Sequence, residues 1–287
     1  MSFSSADHAL APDQPAESAR LQLGFRPGPD GDTYVAEQYA AYPFHLGRVH
    51  YLDTEPAGMA TVYLQSSAGG IYAGDRLAME ITAEPGARAH VTTQAPTIIH
   101  RTVPDGARQQ VAVTAAAGAF LEYLPDTAIL FPGASLSSTV DVTVGQGATV
   151  IVQDAFLGHD PKGAGATFDL LESTVRISDP GGRLLALDRY QVTGAVLAQG
   201  RIGITGDHPV HGTIMVIHPG AGDALADALR KGLGEETSGG ASTLPNDSGA
   251  WARVTAPDGA SLNAAMAALW AAARIHLTGH EPKRRRK

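Results

Sequence analysis

The stretch from Ala117 to Gln153 reads AGAFLEYLPDTAILFPGASLSSTVDVTVGQGATVIVQ, and its punctuation is that of stacked short strands. Three turn signals, Ala117-Gly118-Ala119, Pro132-Gly133-Ala134 and Gln146-Gly147-Ala148, recur at intervals of 15 and 14 residues. Glycine and proline at such points favour chain reversal. Strand-like segments lie between them: Phe120–Leu124, Leu136–Val144 and Thr149–Gln153. Val140, Val142 and Val144 alternate with Asp141 and Thr143, the period of a half-buried strand. The interval suits a strand, a turn and a return strand, stacked repeatedly. That is a β-sandwich or a β-helix-like stack.

The same grammar extends toward residue 1. Pro85-Gly86-Ala87 is a fourth turn, and Thr33–Tyr39 and Ala60–Gln65 are β-prone runs. Two later stretches switch period. Ala221–Leu233 places Leu225, Leu229 and Leu233 at spacing four, with Asp223 early and Arg230-Lys231 late, matching the helix dipole. From Ser261, the expected N-cap, to about His276, Leu262, Met266, Leu269 and Trp270 form an apolar stripe among alanines. Glu235–Ser248 is polar and glycine-rich and reads as a flexible loop. Met1–Ser18 reads as a disordered leader, and residues 281–287 as a solvated basic tail, Lys283-Arg-Arg-Arg-Lys287. Residues 19–280 then form a single β-rich domain with two helices near its end.

Composition narrows the function classes. The net charge is −8 with a sequence pI near 5.7, so no broad basic field draws nucleic acid or an anionic membrane. With no cysteine, disulfides, thiolate metal sites and cysteine nucleophiles are excluded. The first residues lack the basic start and apolar stretch of a signal peptide, and no run approaches the roughly 18 apolar residues that span a bilayer. The expectation is a cytoplasmic protein.

Candidate chemistry is sparse. Gly69-Gly70-Ile71-Tyr72-Ala73-Gly74-Asp75 is not spaced as a phosphate cradle, and no helix is expected to open there. It reads as a bend needing positive φ, with Asp75 bonding the turn amides. Thr92-Thr93-Gln94 offers donors and acceptors without a nearby base. Among Glu122, Asp126, Asp154, Asp160 and Glu172, Asp154 stands out. It sits inside Val152-Gln153-Asp154-Ala155-Phe156 and needs a partner or a polar cavity. Asp126, after Pro125, reads as a turn residue. Of the histidines, His208 and His211 are separated by Pro209, His159 precedes Asp160, and none has the spacing of a closed metal site.

Four ordered motifs carry a family resemblance. Ser67–Leu77 resembles the GG-x-x-x-GD motif of the UreD (UreH) urease accessory proteins, in Gly69, Gly70, Gly74 and Asp75. Gly86–Ala95 resembles their GA-x-A-x-x-TTQA run, in Thr92, Thr93 and Gln94. Leu121–Pro125 with Ile129–Ala134 resembles the next segment, and Phe156–Gly158 the one after. The likeness is strong over residues 20–200 and weaker beyond. Two positions depart from the family pattern. Pro96–Arg101 lacks its lysine and has His100 for its aromatic, and His159 stands where arginine is common.

The resemblance implies a β-helix-like fold and a non-enzymatic chaperone role in metallocentre assembly. It implies binding to UreF, to UreG through UreF, and to apo-urease. It also implies an internal passage for nickel in transit, with no cofactor held tightly. Candidate passage residues are Gln94, His100, Asp126, Asp154 and His159. The competing reading is a β-helix carbohydrate-active enzyme. That enzyme would need aromatic platforms, and Trp251 and Trp270 are both expected outside the β region.

Overall fold

The computed structural model describes residues 19–234 and 237–285. The expected leader, Met1–Ser18, and the last two residues of the tail lie outside them. The chain opens with β1 (Ala19–Pro27), β2 (Thr33–Ala40), β3 (Phe44–Leu46) and β4 (Ala60–Ser66). It then winds through β5 (Arg76–Ala83), β6 (Arg88–Thr93), β7 (Thr97–Ile99), β8 (Ala107–Ala115), β9 (Phe120–Leu124), β10 (Ala128–Leu130), β11 (Ser135–Val144), β12 (Thr149–Gly158) and β13 (Leu170–Ser178). There follow β14 (Leu184–Val192), the short α1 (Gly194–Leu197), β15 (Val210–Ile217), α2 (Gly222–Gly232), β16 (Ser238–Thr243), β17 (Gly249–Ala256) and α3 (Gly259–Thr278).

From β5 to β13 the chain passes back and forth between two sheets. One sheet has the order β14-β13-β11-β8-β5-β1-β2. The other runs β16-β17-β15-β12-β9-β6-β4-β3. The central ladders, β5-β8-β11-β13 and β4-β6-β9-β12, are parallel. Antiparallel pairs flank them. This is the expected β-helix-like stack.

The turn interval takes on a definite meaning here. Gly86 N–H donates to the Ala117 carbonyl, and Gly118 N–H to that of Gln146, so these turns stack on one edge. Gly133 lies on the opposite edge, between Thr102 and Thr167. Fifteen residues are therefore half a coil. A full coil is 32 residues from His90 to its neighbour Glu122.

The period-two alternation fills the space between the sheets. Val140, Val142 and Val144 point inward with Val111, Val113, Leu121, Tyr123 and Val150, while Asp141 is exposed. The second sheet is covered on its outer side too. Leu225 and Leu229 of α2, with Leu262, Met266, Leu269 and Trp270 of α3, pack there on Ile151, Ile214, Val216 and Val254. Gly212 makes the approach of α3 possible: a Cβ there would stand 2.5 Å from Met266 Sδ.

Several expectations are corrected. Residues 235–248 contain a strand, β16, rather than a loop throughout. It pairs antiparallel with the free edge of β17, so a polar, glycine-rich sequence gains its structure from a distant neighbour. The cap of α3 is Asp258, whose side chain accepts from Ser261 N–H, and not Ser261. Trp251 lies in a strand, β17, and not outside the β region. The basic segment is not wholly solvated either. Lys283 N–H donates to Asp53 Oδ1 at 2.8 Å, and the Arg285 side chain is only 6% exposed.

Candidate functional site

Because both faces of β6 and β9 are covered, every second residue on these strands faces α3 instead of the inter-sheet core. Ala89 and Val91 face the core, as do Leu121 and Tyr123. That leaves His90, Thr92 and Glu122 on the helix side, where most neighbours are apolar. A charge there needs partners, since an unpaired buried charge is costly.

Glu122 has four. Its Oε2 lies 2.6 Å from His90 Nδ1 and 3.1 Å from Arg274 Nη2. Its Oε1 accepts from Arg274 Nε at 2.6 Å and from Trp270 Nε1 at 3.0 Å. Trp270 and Arg274 are one helical turn apart on α3, so one face of the helix delivers both. Arg274 is fully buried and also reaches Asp53 at 3.3 Å, the Glu55 carbonyl and Met59 Sδ. Asp53 in turn takes Arg285 at 2.5 Å, and the Arg285 guanidinium lies 5.0 Å from the Trp270 ring centre.

The electrostatics follow from these contacts. Burial raises the Glu122 carboxyl, but Arg274 and His90 more than reverse this, leaving it well below the usual carboxylate range. Burial likewise acts against ionised Asp53, yet Arg285, the Lys283 amide and Arg274 lower it on balance. Burial, then the charge of Arg285, pushes His90 down to about 4 against the pull of Glu122. His90 is therefore neutral near pH 7, and its Nδ1–H donates to Glu122. The opposite nitrogen, Nε2, is buried and has no hydrogen-bond partner among the described residues.

His90 forms part of the wall of an open cleft of about 1040 Å³ between the sheet and α3. Thr92, Asp126, Gln153 and Asn263 supply further polar lining, and residues 281–285 form one side. A second cavity, of about 170 Å³, holds Asp154 and His211. Asp154 accepts from Ser173 Oγ and from Tyr190 OH at 2.8 Å. Burial raises its pKa against these hydrogen bonds. Tyr190 belongs to the opposite sheet, so Asp154 lies where the sheets meet.

The structure does not gather the residues expected from the sequence into one place. Asp126 lines the cleft, whereas Asp154 lines the smaller cavity. His100 stacks on Tyr72, with ring centres 4.5 Å apart, and flanks Phe131 with His159. The Gln94 N–H bonds the Leu64 carbonyl. Thr92 Oγ1 donates to the Leu124 carbonyl, and Thr93 Oγ1 accepts from Asp126 N–H, tying neighbouring coils. The glycine motif is a bend. Gly69, Gly70 and Gly74 have positive φ, and Asp75 accepts from Tyr72 N–H at 2.8 Å. At Gly70 a Cβ would sit 2.5 Å from the Ile98 carbonyl, so glycine is required.

Sequence reading missed His90, Asp53, Trp270, Arg274 and Arg285 as site residues, and weighed Glu122 only as a strand carboxylate. The available signal was the coil itself, which sets His90 beside Glu122 once the register is known. Among the described residues no three of His, Asp, Glu or Cys are grouped as a closed metal site. No described helix is long and apolar enough to cross a membrane.

Comparison with known proteins places these features in context. The family model described as UreD urease accessory protein matches residues 17–287. A "Urease accessory protein UreD 1" of Pseudomonas syringae pv. syringae is 41% identical over 277 residues, 95% of this chain and 97% of its own. One of the same description from Methylorubrum populi is 41% identical over 260 residues, covering 90% of this chain and 88% of its own. A "Urease accessory protein UreD 2" of Streptomyces griseus is 35% identical over 282 residues, 96% of each.

Proposed function

Because this chain belongs to the UreD urease accessory protein family, we propose that it is a non-catalytic scaffold for urease maturation. The observation that carries this reading is the reach of the likeness. The match runs from residue 17 to 287, so the coils, the cleft and both long helices all lie within it. The use of the buried pair agrees: His90 and Glu122 are locked to Trp270 and Arg274 as structure, not poised as acid and base.

In this proposal the chain works in the cytoplasm. It binds UreF, recruits UreG through it, and docks on apo-urease. Nickel is cargo in transit and is not held tightly. Asp126 in the cleft and Asp154 in the smaller cavity are the proposed polar contacts along its route, with Gln94, His100 and His159 as further candidates. Part of the UreF-facing surface is assigned to the helical end, where Ile275 of α3 is 49% exposed.

Co-expression with a UreF homologue and the urease subunits tests the proposal, read by pull-down and nickel-dependent urease activity. A complex, with activity lost when this chain is deleted, supports it. Full activity without the chain overturns it. Asp154→Ala is expected to lower activation while UreF binding persists, and unchanged activation removes Asp154 from the route. Normal UreF co-purification with Ile275→Glu removes that surface.

A further inference from the structure

The central cluster is balanced. Glu122 and Asp53 carry two negative charges, Arg274 and Arg285 two positive ones, and His90 is neutral. Three of the four charges, Glu122 on β9, Arg274 on α3 and Asp53 in the β3–β4 connection, form a tightly bonded group. The fourth does not. Arg285 lies on a segment beyond the end of α3 at Gly279, outside any helix or strand. Its hold on the body is chiefly one carboxylate, Asp53, together with the Trp270 face, and its own buried Nε has no partner among the described residues.

His90 is 1% exposed, with its ring fixed by Glu122 on one side and by Trp270 at 5.3 Å. A carboxylate that accepts from one imidazole nitrogen orients the ring and raises the donor strength of the other, the arrangement found behind ligating histidines. Here that other nitrogen, Nε2, has no partner among the described residues, and the residue lines the cleft shared with Asp126, Gln153 and Asn263. An imidazole in a cleft that also carries carboxylate and amide oxygens suits a borderline divalent transition-metal ion, not magnesium or calcium.

We propose that His90 Nε2 is a transient binding position for a divalent transition-metal ion, and that Arg285 on Asp53 is the built-in countercharge that keeps it shut. With Arg285 seated, a cation entering the cleft meets a cluster of no net charge, with the Arg285 guanidinium itself on the cleft wall. With residues 281–285 withdrawn, the cluster carries one net negative charge and the cleft loses a wall. Water completes the coordination, since no three-ligand cage exists among the described residues. An open position of this kind suits an ion in passage. The inference rests on the proposed function only for naming nickel as the cargo.

The test is a Ni²⁺ titration of the isolated full chain, followed by calorimetry and tryptophan fluorescence. Arg285→Ala is expected to bind Ni²⁺ at least tenfold more tightly than the unaltered chain. The ion should quench Trp270, a signal lost in Arg285→Ala/Trp270→Phe. Adding His90→Gln to Arg285→Ala is expected to return the affinity to the unaltered value. Equal affinity for Arg285→Ala and Arg285→Ala/His90→Gln overturns the site. Should His90→Gln not fold, Arg285→Ala labelled with ¹⁵N-histidine decides: Ni²⁺ must broaden the His90 Nε2 resonance, and an unperturbed His90 overturns the site. Urease activation separates this inference from the function. Binding at His90 with undiminished activation by His90→Gln overturns delivery through the cleft and leaves the site standing. No binding at His90, with deletion of the chain still abolishing activation, overturns the site and leaves the scaffold role.

Discussion

His90 Nδ1 lies 2.6 Å from Glu122 Oε2, although the two residues are separated by a full coil of 32 residues. The parallel register of β6 and β9 places them side by side, and α3 closes over both. Coil geometry and helix packing thus meet at one buried carboxylate.

Removing one partner of that carboxylate should be severe. Arg274→Met leaves Glu122 buried and largely uncompensated, and is expected to cost about 3–5 kcal/mol. The double variant Glu122→Leu/Arg274→Met should recover about 2 kcal/mol or more, because no lone charge remains. Urea denaturation at pH 7 of both single variants and the double variant measures the coupling.

Acid should unfold the protein earlier than its surface carboxylates alone would. The folded-state pKa of His90, about 4, lies below the ordinary 6.5, so the unfolded chain takes up the proton first. Stability present above about pH 6.5 is therefore lost as the pH falls toward 4, by about 3 kcal/mol at ~1.4 kcal/mol per unit. Glu122, also lowered, adds loss in the same direction below its unfolded value near 4.3. Thermal melts from pH 7 to 4 should show this slope, and His90→Gln should flatten it above pH 4.5.

Asp154 has the opposite sign. Burial raises its folded pKa, so its ionised form weakens the fold at neutral pH, and that weakening is relieved as the pH drops. Asp154→Asn keeps an oxygen for Ser173 and Tyr190. It is expected to be neutral or to stabilise by up to about 1 kcal/mol at pH 7. The gain should shrink in melts at pH 4.

The glycine motif supplies a graded test. Gly74→Ala meets open space and faces only the positive-φ penalty, about 1 kcal/mol. Gly70→Ala adds a clash with the Ile98 carbonyl and the His100 ring, and should cost about 3 kcal/mol. Chemical denaturation of the two alanine variants checks the order.

The winding of the chain is legible in its local residue pattern. Turn glycines and alternating valines act within a few residues and marked the strands, and the spacing of apolar residues marked the two long helices. They left a sandwich and a β-helix-like stack both open, and the family motifs pointed to the latter. The charge match and leucine spacing of α2 were equally local. Where local chemistry was ambiguous, the reading failed: β16 is polar and orders only because β17 offers a free edge.

The site arises from long-range packing. Asp53, His90, Glu122, Arg274 and Arg285 come from four separate parts of the chain, and the Glu122–Arg274 contact spans 152 residues. Which polar residues meet depends on the stacking register and on the rotation of α3 over the sheet, set by contacts such as Gly212 against Met266. A half-coil repeat names the strands, but a buried charge finds its partner only when the whole stack has closed around it.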